Sequence, residues 1–141
     1  MPRPKAYLQQ KGMEIAMEKK ISVSDAELEI LEILWSAEAP LSANEIRTRL
    51  GRSRSRSWER TTVLTLIQRL LKKNVISQEK REVYYYAPCI GREEYVREET
   101  KNFVDKFFKG SSRNLAAALV NSKSLTEEEL QELRDYFNQN F

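Results

Sequence analysis

Apolar residues recur along this chain with two different periods, and the switches between them mark its elements. In SDAELEILEILWSAE, residues 24–38, Ile30, Leu31 and Leu34, with Ile33 on the flank, fall near the 3.6-residue period of an α-helix. Ser24 with Glu27 three residues on forms a capping box at its start. Pro40 breaks that helix. Ser42 with Glu45 makes a second capping box, which opens a short helix to about Leu50, and Gly51 is a suitable stop. A third helix starts near Ser57 or Trp58. Its Val63, Leu66, Ile67 and Leu70 stand at i, i+3, i+4 and i+7 and predict a buried stripe. Thr61, Thr65, Gln68 and Lys72 lie on the opposite side, with Thr62 and Arg69 flanking, and Asn74 predicts a left-handed stop.

The period then changes. VISQEKREVYYYAP, residues 75–88, reads as two β-rich runs around a polar, basic tip at Lys80 and Arg81, a hairpin that Pro88 ends. Three helices followed by a basic hairpin is the element order of a winged helix-turn-helix, with the hairpin as wing. After Gly91 the chain is helical again, over 92–110, 111–123 and 124–140, with Ser124 or Thr126 as cap of the last segment. These segments carry Phe103, Phe107, Phe108, Leu115, Leu119, Leu130, Leu133 and Phe137. Three short helices of that size are marginal alone, so they fold back on the first module or pack against a second copy.

The expected fold class is therefore mainly α with a small β-hairpin wing: a winged helix-turn-helix plus a C-terminal helical dimerisation segment. Residues 1–21 show no clean period and are expected to be a mobile extension, and MEKKISVSD from Met17 would make a natural start. Residues 22–90 form the expected DNA-binding domain and residues 91–141 the helical dimerisation domain.

Composition removes several kinds of chemistry. The 141 residues contain no histidine and one cysteine, Cys89. The commonest general base and the commonest metal ligand are both missing, and no Cys/His zinc site can form within one chain. No enzyme, catalytic residue, metal or cofactor is expected. No apolar run approaches the roughly 20 residues of a membrane span, and no secretory leader is visible, so the expected location is cytoplasmic.

Charge sharpens the picture. The chain carries only +3 in total, yet Arg47 to Arg81 holds eleven Lys and Arg against two Glu, a local +9. A basic window of this kind suits a polyanion. Arg52, Arg54, Arg56 and Arg60 surround the entrance of the third helix, where DNA phosphates would flank it. Thr61, Thr62, Thr65 and Gln68 offer short donors and acceptors to base edges in a major groove. Leu64, Arg69 and Lys72 complete that helix's candidate contacts. Lys80 and Arg81 reach a neighbouring minor groove or backbone, and Ser42 is counted among the candidate DNA contacts as well. Two other classes fit the element order: a winged-helix protein-interaction module, which calls for a neutral or acidic third helix and wing, and a small-molecule-sensing regulator, which needs a pocket with convergent polar groups.

SDAELEILEILW, SANEI, SWERTTVLTLIQRLLKKNVI, YYY, TKNFVDKFFKGS and LTEEELQELRDYFNQ together resemble the bacterial penicillinase-repressor family, over roughly residues 22–138. The resemblance implies a cytoplasmic winged-helix repressor that dimerises through its C-terminal helices on an operator of two-fold symmetry, before β-lactamase-type resistance genes. It implies a dimer interface at Phe103, Phe107, Phe108, Leu115, Leu119, Leu130, Leu133 and Phe137. It also implies relief of repression by a membrane sensor-protease pathway that cuts an Asn-Phe bond, here Asn102-Phe103. Where the family often has Lys or Arg, this chain has Leu64, and it lacks the family's Lys near Thr61. The paired C-terminal cysteines of the copper-responsive branch are missing as well.

Overall fold

The computed structural model describes residues 22–53 and 58–140. Its first helix, α1 (Asp25–Ser36), begins where the sequence placed its cap: Ser24 Oγ accepts the Glu27 N–H at 3.2 Å. The return half of that box does not form. Glu27 instead turns inward, 3% exposed, and its carboxylate accepts from Lys73 Nζ at 2.6 Å. Ile30, Leu31 and Leu34 complete the buried stripe.

A two-residue strand, β1 (Leu41–Ser42), follows the Pro40 break, and α2 (Ala43–Ser53) grows out of it. Both halves of the second capping box are present: Ser42 Oγ accepts from Glu45 N at 3.2 Å, and Glu45 Oε1 accepts from Ser42 N at 3.3 Å. Ile46 and Leu50, one turn apart, are the helix's fully buried anchors. The helix passes through Gly51, where the sequence predicted a stop. Among the described residues only Gly110 is a glycine with positive φ, so Gly51 keeps a right-handed conformation and ends nothing.

The third helix, α3 (Arg60–Lys72), starts later than the Ser57 or Trp58 expected. Arg47 Nε donates to the Trp58 carbonyl at 2.9 Å, which takes that oxygen as acceptor, and Glu59 stays extended at φ −64°, ψ 144°. Val63, Leu66, Ile67 and Leu70 are buried as their spacing predicts. Asn74 does end the helix in the left-handed region, at φ 61°, while the Val75 N–H reaches back to the Leu70 carbonyl.

The hairpin is β2 (Ile76–Lys80) and β3 (Tyr84–Pro88), antiparallel, with Gln78 opposite Tyr86. β1 adds to the free edge of β3, Leu41 opposite Tyr86, which makes a three-stranded sheet in the order β1-β3-β2. Ile30, Leu31, Ile46, Leu50, Val63, Ile67, Leu70 and Val75 are the largest fully buried side chains. Each contributes roughly 1.5–3 kcal/mol of burial. They set α3 against α1 and α2 so that only one of its faces is left to solvent.

Helix α4 (Arg92–Phe108) crosses the division between two compact units, which falls between Glu98 and Glu99. Its first turns belong to the first unit. Trp35 Nε1 donates to the Ile90 carbonyl at 2.8 Å, the Trp35 and Tyr95 rings lie 5.6 Å apart, and Arg92 bonds Glu32 at 3.1 Å.

The second unit holds the rest of α4, then α5 (Ser112–Asn121) and α6 (Glu127–Asn140). Lys109 and Gly110 end α4 with φ of 50° and 82°. Ser111 caps α5 through the Asn114 N–H, and Thr126 forms a complete capping box with Glu129, at 3.1 and 3.0 Å. Neither α5 nor α6 has a buried residue.

Candidate nucleic-acid interface

The outward face of α3 is a polar strip framed by cations. Thr61, Thr62, Thr65, Gln68, Arg69 and Lys72 are all exposed, and Leu64 is half-buried at the edge of the strip. Arg60 is the first helical residue and Arg52 lies near the end of α2, both exposed. Arg54 and Arg56 lie outside the described residues. The hydroxyl of Thr65 donates to the Thr61 carbonyl at 2.9 Å. Its hydrogen is therefore committed to the helix, and toward solvent Thr65 presents acceptor lone pairs and a methyl group. Gln68 carries both a donor and an acceptor. A face with these groups matches the exposed edges of a major groove, which mix donors, acceptors and the thymine methyl.

One charge of the basic window is engaged elsewhere. Lys73 spends its ammonium on Glu27 and on the Ser22 carbonyl, at 2.6 and 3.1 Å, and so braces α1 against the end of α3. Ser42 is placed differently from the other candidates: it is buried, pairs with Tyr85 in the sheet, and uses its hydroxyl as the cap of α2. A hydroxyl held there orients the helix-turn-helix rather than presenting a free donor to a ligand.

On the wing, Lys80 closes β2, and residues 81–83 form the turn. Arg81 folds over the Tyr85 ring, 4.8 Å from its centroid, and comes within 3.5 Å of Glu79. An exposed pair at that distance is worth little and opens readily toward a stronger anion. Lys80 sits 5.9 Å from the Tyr84 ring.

Arg47 opens the basic window and Trp58 stands at the expected start of the third helix, neither of them among the candidate contacts, and the structure brings the two together. A cavity of about 300 Å³ is lined by Asn44, Arg47, Thr48, Gly51 and Trp58. The indole Nε1 of Trp58 is closed to solvent and has no hydrogen-bond partner. The sequence signal was faint: Arg47 and Trp58 sit on different elements, eleven residues apart.

The expected dimer residues divide by exposure. Phe103, Phe107, Leu119, Leu130, Leu133 and Phe137 are exposed, Phe107 at 61%, and Phe108 and Leu115 are half-buried. Phe103 stacks at a tilt on Phe107 with centroids 4.9 Å apart, and Asn102 beside it is half-buried. Val120 and Tyr136 add to the exposed apolar surface.

Among the described residues no group of three His, Cys, Asp or Glu could hold a metal ion, and no helix is long and apolar enough to cross a membrane. Cys89 is buried, which pushes its thiol up despite a hydrogen bond from Ser77 that works the other way.

Comparison with known proteins follows the sequence resemblance. The family model of the penicillinase repressor matches residues 23–139. The penicillinase repressor of Bacillus licheniformis is 29% identical over 118 residues, 83% of this chain and 90% of that protein. The methicillin resistance regulatory protein MecI of Staphylococcus aureus strain N315 is 31% identical over 121 residues, 85% of this chain and 96% of that one. Among solved structures, the monomeric form of Bacillus licheniformis BlaI in complex with the blaP half-operator is similar at 30% identity and a TM-score of 0.44. It covers 53% of this chain and 89% of that one.

Proposed function

The chain belongs to the penicillinase repressor family, a family of DNA-binding transcriptional regulators rather than enzymes, and from that membership we propose that it is a homodimeric repressor of β-lactamase-type resistance genes. It works in the cytoplasm on double-stranded operator DNA of two-fold symmetry. One observation carries the DNA-binding half: the exposed face of α3 is wholly polar beside Leu64 and is bracketed by Arg52, Arg60, Arg69 and Lys72, with no carboxylate on the helix itself. Such a helix is repelled by nothing in a groove walled with phosphate.

Binding needs no cofactor. α3 enters a major groove, Thr61, Thr62, Thr65, Gln68 and Leu64 meet base edges, and Arg52, Arg54, Arg56, Arg60, Arg69 and Lys72 neutralise phosphates. Lys80 and Arg81 on the wing touch the backbone beside it. Ser42 acts through the pose of α2.

The dimerisation half is supported by what α5 and α6 lack. Helices with no buried residue do not hold their shape in water by propensity alone, because an isolated helix of this length is marginal. Phe103, Phe107, Phe108, Leu115, Leu119, Leu130, Leu133 and Phe137 are the surface a second copy covers. Two copies then place two α3 helices one or more DNA turns apart, roughly 34 Å per turn. A membrane sensor-protease pathway relieves repression by cutting Asn102-Phe103, a reading that rests on the family.

The test is retardation of the DNA upstream of this gene and its neighbours, followed by footprinting. A protected site with two-fold symmetry whose affinity falls steeply with salt is expected. No retardation, or binding indifferent to salt, would favour a protein-interaction module instead.

A further inference from the structure

We propose that Trp35 is a positioning residue for operator binding: by holding the root of α4 on the DNA-binding unit, it makes the dimer discriminate between spacings of its two half-sites. The inference rests on the dimeric repressor reading above and adds to it a residue outside both assigned surfaces.

Only Cys89, Ile90 and Gly91 separate β3 from α4, and this short link is held from two sides. The Cys89 N–H donates to the Val75 carbonyl at 2.8 Å, one residue past the Asn74 that ends α3. The Gly91 carbonyl takes the Tyr95 N–H at 3.0 Å and so starts the ladder of α4, which leaves the Ile90 carbonyl ahead of it. The indole N–H of Trp35, in the last turn of α1, donates to that carbonyl at 2.8 Å. The Trp35 ring lies 5.6 Å from the ring of Tyr95, in the first turn of α4. Ile90 and Tyr95 are buried, so little water is at hand to replace the indole.

The position gives this hold its consequence. α4 is one helix from Arg92 to Phe108 and carries Phe103 and Phe107 of the surface assigned to dimerisation. The direction in which it leaves the DNA-binding unit is set at its first turn, where Trp35 and Tyr95 meet. The Arg92–Glu32 pair beside them is exposed and adds little. The end of α3 is tied to the same link through Val75. A held root therefore keeps the two α3 helices of a dimer at one separation, and a loosened root lets them swing. DNA tests the difference sharply, because one added base pair moves the second half-site by about 3.4 Å and turns it by about 35°.

The experiment uses the full chain and three synthetic duplexes: two copies of the footprinted half-site at the spacing found there, the same two copies one base pair further apart, and a single half-site. The wild type should prefer the first duplex to the second by roughly 10-fold. Trp35→Phe keeps an aromatic ring and deletes the N–H, and it should reduce that preference by roughly 3-fold with affinity for the single half-site unchanged. Tyr95→Leu loosens the same contact from the side of α4 and should also reduce the preference. A defect of folding alone lowers affinity for all three duplexes together and leaves the preference at its wild-type value. A reduced preference in both variants supports the inference. An unchanged preference in either variant, or none in the wild type, overturns it, while tight binding to the first duplex upholds the repressor reading. A wild type that binds the first duplex no better than the single half-site overturns both.

Discussion

Lys73 and Glu27, 46 residues apart in sequence, meet at 2.6 Å and tie the first turn of α1 to the end of α3. The two partners are unequally buried, with side chains 31% and 3% exposed. That asymmetry makes the pair testable. Lys73→Met strands a buried carboxylate and should cost about 3 kcal/mol. Glu27→Gln leaves an ammonium that can turn to water, and the cost should be about 1 kcal/mol. Urea denaturation of both variants measures the two values. Equal losses would mean that the carboxylate reaches water when its partner is gone.

Base reading should separate from backbone positioning along α3. Gln68→Ala should cost about 1–3 kcal/mol on the operator and little on random DNA. Thr65→Ser keeps the bond to the Thr61 carbonyl and the acceptor lone pairs and loses only a methyl, so it should bind better than Thr65→Ala on the operator. Leu64→Lys should change which operator is preferred, since it exchanges an apolar edge for a donor. Competition between operator and random duplex reads all of these. Losses of equal size on both DNAs would reassign the residues to the backbone.

What the sequence disclosed here was local. The buried stripe of α3, the Ser42–Glu45 box and the left-handed Asn74 each depend on residues within a few positions of one another, and all are present in the structure. The family resemblance over residues 22–138 likewise agrees with the family model over 23–139. What it hid was tertiary. β1 is two residues long, too short to carry a period, and exists because β3 offers it an edge. The late start of α3 depends on an arginine eleven residues earlier that claims the Trp58 carbonyl. Lys73 counted toward the basic window although a carboxylate from the first helix consumes it. Ser42 stands among the candidate DNA contacts in the sequence, and its burial as a cap is visible only once the sheet is built.

Assembly should respond to where the chain is ended. A protein stopped after Glu98 keeps Tyr95 against Trp35 and should fold as a monomer that binds a full operator about 10²-fold more weakly than the intact chain, because linked half-site contacts far exceed single ones. Ending it at Gly91 instead removes Tyr95, a buried aromatic, and should cost about 3 kcal/mol of stability. Sedimentation and thermal melting distinguish the outcomes. A Glu98-terminated chain that sediments as a dimer would move the interface into the DNA-binding unit.

Induction by cleavage makes a demand that the geometry of α4 can be asked to meet. Asn102 and Phe103 lie well inside Arg92–Phe108, where the backbone is helical and closed to a protease until the turn opens. Phe103 is 47% exposed in one chain and rests on Phe107. Covering these rings with a second copy would shield the bond further, so cutting should be faster in the monomer than in the dimer. One cut would separate the DNA-binding unit from every residue assigned to the dimer surface, and the loss of bivalent binding alone would lower operator affinity by about 10²-fold or more. In cells carrying the matching sensor and exposed to a β-lactam, the N-terminal fragment should have the mass of a chain ending at Asn102. Replacing both Asn102 and Phe103 with Ala should leave operator binding intact and abolish induction. Full induction in that variant, or induction with every repressor chain uncut, would show that the signal reaches the DNA-binding unit by another route.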